Sequence, residues 1–165
     1  MPLKLDLKTG EKMVVNGAVL ENVGPSAKIL VHNMASILRE KEILSQEEAR
    51  TPASRVYFSL QCAYMFPQNR EDHLRTFRSL LTDYLNACPS AADVGDEISE
   101  FVDINDFYKA LRSSRKLIAH EVGTLDAFNS DMTKLTEIAA GADNDDEDDE
   151  LESSMQDENE GPNDK

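Results

Sequence analysis

Alternating apolar and polar residues open the chain and predict short β-strands before residue 45. Leu3, Leu5 and Leu7 alternate with charged residues, which is the period of a strand with one buried face. The pair Asn16-Gly17 favours a tight type I′ hairpin. The other short apolar runs are 12–15, 18–20, 27–32 and a last one beginning at Ser36. Short strands separated by turns predict a small antiparallel sheet or barrel.

After Leu44 the apolar spacing changes to three and four, which predicts helices. Ser45 with Glu48 fits a capping box, and Thr51-Pro52 is a second helix start. The helix over 53–66 is apolar on nearly every face and is therefore expected to be central. Three more helices are expected at about 70–87, from Ser90 to about 101, and from 104 or 105 to 121 with Gly123 as C-cap.

A fifth helix is predicted over about 124–139. Its apolar residues again follow a spacing of three and four: Leu125, Phe128, Met132, Leu135 and Ala139. Such a seam favours packing within the chain, with Met132 and the aromatic residue in the core. A helical contact between copies of the chain is the alternative.

The predicted fold class is α+β. A small N-terminal antiparallel β-sheet or barrel (1–45) is followed by an all-α helical bundle (46–140) and a disordered acidic tail (141–165). The tail is predicted to be disordered because its few apolar residues cannot offset the entropy lost on ordering.

The charge of the chain is concentrated in that tail. The formal net charge is −15, of which 141–165 contribute −11, with twelve acids and one lysine. Residues 1–50 are balanced, with seven acids and seven bases. The overall acidity therefore does not exclude nucleic acid as a partner of the strand segment.

Several classes of function lack their sequence signals. No apolar run is long enough to cross a membrane, and the N-terminus has no signal-peptide core, so a cytoplasmic location without membrane contact is expected. Cys62 and Cys88 are expected to be buried thiols. His32, His73 and His120 are scattered, and no catalytic or phosphate-binding motif is present. We therefore expect no enzyme activity, no metal and no cofactor.

Basic residues in the strand segment form the main candidate site. A small sheet with a basic edge can follow an RNA backbone, and scattered solubilising charge is the alternative. The candidates for RNA contact are Lys8, Lys12, Arg39 and Lys41. A secondary basic face is predicted on the fourth helix, where an ordinary solvated surface is the alternative: Lys109, Arg112, Arg115 and Lys116.

Four blocks in order resemble the FlbT family of flagellin regulators. They are residues 1–24, LREKEIL (38–44), TPASRVYF (51–58) and FYKALRSSRKLI (107–118). The resemblance implies a post-transcriptional regulator that binds the 5′ untranslated region of flagellin mRNA, represses translation and promotes mRNA decay. It also implies a FlaF-like partner with the opposite role, and some similar proteins favour flagellin production instead.

The strand segment is also similar to the carbon storage regulator CsrA. The similarity covers Gly10-Glu11, the run 13–17, the strand 27–32 and the closing 38–43. It implies an RNA contact by Arg39. The other RNA-binding arginine of that family has only Lys8 near its place here, and Lys lacks the planar fork of Arg.

The predicted function is therefore an RNA-binding repressor of flagellin synthesis, with the flagellin mRNA leader as partner and a homodimer as a further expectation. The alternative is a protein-interaction adaptor, or an activator of flagellin production, that couples flagellar secretion or assembly state to flagellin expression.

Overall fold

A computed structural model describes residues 2–142, with side chains through residue 137. The chain divides into two compact units, Met1–Gly123 and Thr124–Lys165. The first unit contains five strands and most of the helical residues, which confirms the α+β class. Of the predicted acidic tail, residues 143–165 lie outside the described residues.

The strands form two small antiparallel sheets rather than one. β1 (Leu3–Leu7) pairs with β4 (Ala27–Val31), and β2 (Lys12–Val15) lies between β3 (Ala18–Glu21) and β5 (Ile37–Arg39). The β2–β3 hairpin turns at Asn16 and Gly17, whose φ angles are 49° and 85°. Two successive positive φ angles are typical of the predicted type I′ turn.

Four α-helices follow a short 3₁₀ turn at Glu40–Glu42. Their bounds are Pro52–Met65 for α1, Arg70–Ala87 for α2, Ala92–Asp103 for α3 and Phe107–Ala142 for α4. α1 begins as predicted, because the Thr51 side chain accepts a hydrogen bond from the Ser54 N–H and Pro52 occupies the first turn. α1 is also buried on several faces, which confirms its central position.

One hydrophobic core in the first unit contains residues from the helices and from strand β5. Leu38 of β5 is 1% exposed and lies in the same cluster as Leu60 of α1 and Phe77 of α2. Val14 of β2 pairs with Leu38 in the ladder and packs against this cluster. A separate domain boundary near residue 45 stays a prediction.

The connection from β5 to α1 is fastened by the side-chain amide of Gln61. The Leu44 N–H donates to Gln61 Oε1 at 2.9 Å, and Gln61 Nε2 donates to the Leu44 carbonyl at 2.9 Å. The buried amide thus takes the place of a neighbouring strand for this one residue.

Two predicted helix starts are wrong. Ser45 and Glu48 make the reciprocal hydrogen bonds of a capping box, yet only a single turn follows. Thr51 precedes a proline and is extended (ψ 158°), so a helix beginning at Ser45 cannot continue through it. Ser90 does not cap α3, since Ala91 is the N-cap and Ser90 Oγ lies 2.8 Å from His120 Nε2.

Gly123 does not end a helix. It lies inside α4 and lacks the positive φ of a C-terminal capping glycine. The two helices predicted over 104–121 and 124–139 are therefore one. An interior glycine costs a helix only about 1 kcal/mol, which does not suffice to stop it.

In the second unit, the predicted core position of the apolar seam is wrong. Leu125, Phe128, Met132 and Leu135 are about half exposed. The side chain of Ala139 lies outside the described ones. Within residues 2–142, no helix is both long enough and apolar enough to cross a membrane.

Candidate nucleic-acid interface

Two of the four candidate residues in the strand segment, Lys8 and Arg39, meet at one acidic residue, Glu11. Lys8 follows β1, Lys12 begins β2 and Arg39 ends β5. The Lys8 N–H donates to Glu11 Oε2 at 2.9 Å, and Arg39 Nη1 donates to Glu11 Oε1 at 3.1 Å. Arg39 pairs with Met13 in the ladder, so its side chain lies on the Met13 face of β2 and the Lys12 side chain points to the opposite face. The turn after β1 therefore brings Lys8 and Arg39 together at Glu11, and we name these three residues the Glu11 cluster.

Arg39 makes two further hydrogen bonds, one from its side chain and one from its backbone N–H. Its Nη2 donates to the Asp6 carbonyl at 3.3 Å, and its own N–H donates to Glu42 Oε2 at 2.9 Å. The side chain is 35% exposed. Since a guanidinium has five N–H donors, Arg39 keeps donors for a ligand while its direction is fixed.

Glu11 stays ionised beside these cations. The hydrogen bond from the Lys8 N–H has the largest effect on the pKa of Glu11, and together with the charges of Arg39 and Lys8 it outweighs burial and lowers that pKa below 4.5. Glu11 offsets one positive charge of the cluster. No local pattern indicates this pairing, because Glu11 and Arg39 are 28 residues apart in the sequence.

Lys12 is less firmly held than Arg39. Its Nζ lies 3.8 Å from Glu21 Oε2 across the β2–β3 ladder, and both side chains are about half exposed. Such a surface pair contributes little stability, so Lys12 can exchange Glu21 for a phosphate at small cost.

Lys41 lies within the 3₁₀ turn Glu40–Glu42 and lines a groove beside α1 and α4. Its carbonyl accepts a hydrogen bond from Arg115 Nη2 at 2.9 Å. The Tyr57 hydroxyl donates to the Glu42 carbonyl, and burial raises the pKa of Tyr57, so Tyr57 stays a neutral donor. The groove has a volume of about 190 Å³ and is lined by Lys41–Leu44, Tyr57, Arg115 and Ile118.

The secondary basic face on α4 is largely occupied by neighbouring groups. Lys109 pairs with Asp106 at 2.8 Å, and Lys116 pairs with Glu97 of α3 at 2.6 Å. Hydrogen bonds from these lysines lower the pKa of both carboxyls. Arg115 is bound to the Lys41 carbonyl, whereas Arg112 is exposed. The face therefore presents less free positive charge than its sequence indicates.

A polar cluster that the sequence did not predict surrounds His120. Its Nδ1 lies 3.0 Å from the Tyr84 hydroxyl and its Nε2 lies 2.8 Å from Ser90 Oγ. Tyr84 also donates to the Leu117 carbonyl at 3.2 Å, and burial raises the pKa of Tyr84 to about 12. These bonds join α2, the 3₁₀ turn before α3 (Pro89–Ala91) and α4. Among residues 2–142, no three His, Cys, Asp or Glu side chains are grouped to hold a metal ion.

Comparison with known proteins places the chain in a family. The family model described as "Flagellar protein FlbT" matches residues 3–125. The chain belongs to the FlbT family. Residues 3–125 of this FlbT-family chain contain both predicted basic sets and the whole Glu11 cluster.

The aligned region of this FlbT-family chain spans most of the length of its curated relatives. A "Probable flagellum biosynthesis repressor protein FlbT" of Caulobacter sp. (strain K31) is 42% identical, over 73% of this chain and 94% of the relative. The "Flagellum biosynthesis repressor protein FlbT" of Caulobacter vibrioides is 38% identical over 73% and 87%. A Bradyrhizobium diazoefficiens relative is 37% identical over 73% and 83%. No solved structure matches the chain.

Proposed function

We propose that this chain represses flagellum synthesis by binding the 5′ untranslated region of flagellin mRNA in the cytoplasm. The observation that carries the proposal is its FlbT-family membership, with a relative named a flagellum biosynthesis repressor covered over 94% of its length. Bound to the leader, the protein would exclude the ribosome and promote mRNA decay. Neither effect requires a catalytic group, a metal or a cofactor on this chain.

The Glu11 cluster supports the choice of site. Lys8 and Lys12 provide positive charge for phosphates, and Arg39 presents an oriented guanidinium that can bind two acceptors of a guanine edge. Single-stranded or loop RNA is the target that fits, because A-form duplex hides its base edges from side chains. Lys41 and the exposed Arg112 would contact the backbone further along.

The test is a gel shift with the flagellin leader at several salt concentrations. Arg39→Ala and Lys8→Ala are each expected to weaken binding, Arg39→Ala by about tenfold or more. The control is Arg75→Ala, which removes an exposed cation on α2 that is paired only with Asp72. Unchanged affinity in both variants would contradict the assignment of this site.

A second candidate is a protein-interaction adaptor that affects flagellin expression through a FlaF-like partner. The ion pairs that engage Arg39, Lys109 and Lys116 favour it, because they leave little free positive charge for RNA. The slope of log affinity against log salt separates the two candidates. Release of several counterions indicates direct RNA contact, whereas a slope near zero indicates the adaptor.

A further inference from the structure

Four large apolar side chains in the second unit lie on one side of α4. Leu125, Phe128, Met132 and Leu135 follow a spacing of three, four and three, which aligns them along a helix. Their exposed fractions are 54%, 61%, 48% and 60%. Single exposed apolar residues are ordinary, but a continuous row marks an interaction surface. We name this row the C-terminal stripe.

The C-terminal stripe lies in a strongly acidic part of the chain. Residues 124–165 hold fifteen Asp and Glu against two Lys. Asp131, which is paired only with the exposed Lys134 at 3.5 Å, lies beside the stripe, and Asn129 and Thr136 border it on the other side. No basic side chain therefore borders the stripe within the described residues.

The negative charge around the C-terminal stripe determines which kind of partner can bind there. A second copy would bring two such acidic segments together, and like charges placed close to each other oppose association. RNA and anionic lipid are repelled for the same reason. A basic surface is attracted instead, and an amphipathic helix is the element that places several apolar anchors on a row of this spacing.

We propose that the C-terminal stripe docks a basic amphipathic helix of a partner protein. The apolar face of the partner helix packs on Phe128 and Met132 at the centre, with Leu125 and Leu135 at the ends. Its Lys and Arg residues are attracted by Asp131 and by the net negative charge of the sequence 124–165. The family match ends at residue 125, so three of the four stripe residues lie beyond it. The proposal does not rest on RNA binding.

The experiment uses the full chain and two model helical peptides as probes. One peptide consists of Leu and Lys, and the other of Leu and Glu in the same arrangement. The chain is expected to bind the Leu/Lys peptide only, and more weakly as salt rises from about 0.05 to about 0.5 M. The double variant Phe128→Ser with Met132→Ser is expected to weaken binding by about tenfold or more. Ser130→Ala, an exposed change on the opposite side of α4, is the control.

Three results would overturn the proposal. Equal affinity of the double variant would show that the acidic segment attracts the peptide without the stripe. Concentration-dependent self-association of the chain that is lost in the double variant would assign the stripe to a second copy. Binding to vesicles containing phosphatidylserine that is lost in the same variant would assign it to lipid. Leader RNA affinity, measured in parallel on the double variant, is expected to be unchanged and reports on the proposed function separately.

Discussion

Glu11 shows how one carboxylate can organise a basic site. It accepts the Lys8 N–H and the Arg39 guanidinium, and both lower its pKa. A carboxyl whose pKa is lower in the folded chain than in the unfolded one stabilises the fold above its unfolded pKa. That stability is lost as the pH falls through the lower, folded pKa.

The pH dependence of Glu11→Gln follows from this sign. The variant is expected to be less stable than the parent at about pH 7, because the charged acceptor of the Lys8 N–H and of Arg39 is missing, and the difference is expected to be smaller at about pH 3, below the unfolded pKa of Glu11. Urea unfolding midpoints at the two pH values measure it, with Glu71→Gln, an exposed carboxylate of α2, as control. A difference that is independent of pH would show that Glu11 does not titrate with the ion pair.

The positions of the candidate residues were predictable from the sequence, but their partners were not. Basic residues and their place in strands or turns are local features, and Lys8 and Arg39 do meet at Glu11, whereas Lys12 points to the opposite face of β2. Their neutralisation depends on residues distant along the chain, such as Glu97 for Lys116, 19 positions away. The pattern and spacing of residues along the sequence do not indicate contacts between distant positions.

At the scale of the helices, two interior glycines differ in whether a side chain would fit at their position. Gly123 lies inside α4 with open space where a Cβ would stand, whereas a Cβ on Gly95 of α3 would lie 2.5 Å from Leu85 Cδ1. The first glycine reflects no packing constraint, whereas a Cβ at the second would displace the Leu85 side chain of α2.

Alanine at each position is expected to give effects of opposite sign. Gly123→Ala should stabilise α4 by about 1 kcal/mol through helix propensity. Gly95→Ala should destabilise the first unit by about 1–3 kcal/mol, because Leu85 must move. Thermal or urea unfolding followed by circular dichroism measures both. Destabilisation by Gly123→Ala would show that this glycine has a role that its helical backbone does not reveal.

The same contrast explains which elements the sequence predicts well. The β2–β3 turn, the start of α1 and the end of α2 each depend on a residue whose backbone preference is strong, such as Gly17 or Pro52. The continuity of α4 and the exposure of Phe128 depend instead on what packs against the helix. Helical spacing identifies an apolar row but does not say whether a neighbour covers it.

For the whole molecule, the distribution of charge matters more than its sum. Residues 143–165 contribute −11 of the total −15. A truncation after residue 142 is expected to leave affinity for the flagellin leader unchanged, because the Glu11 cluster is retained. The gel shift at matched salt measures it, with the full chain as reference. A rise in affinity would show that the acidic segment competes with RNA for the basic surface.

The two hydrogen bonds between the Gln61 side-chain amide and the Leu44 backbone make the Leu44 amide proton a probe of the β5–α1 connection. The Leu44 N–H has its acceptor on a helix, 17 residues along the chain. Its exchange with solvent deuterium is therefore slowed only while the β5–α1 connection rests on α1. The exchange rate of the Leu44 amide therefore reports whether the connection between β5, which ends at Arg39, and α1 is in contact with that helix.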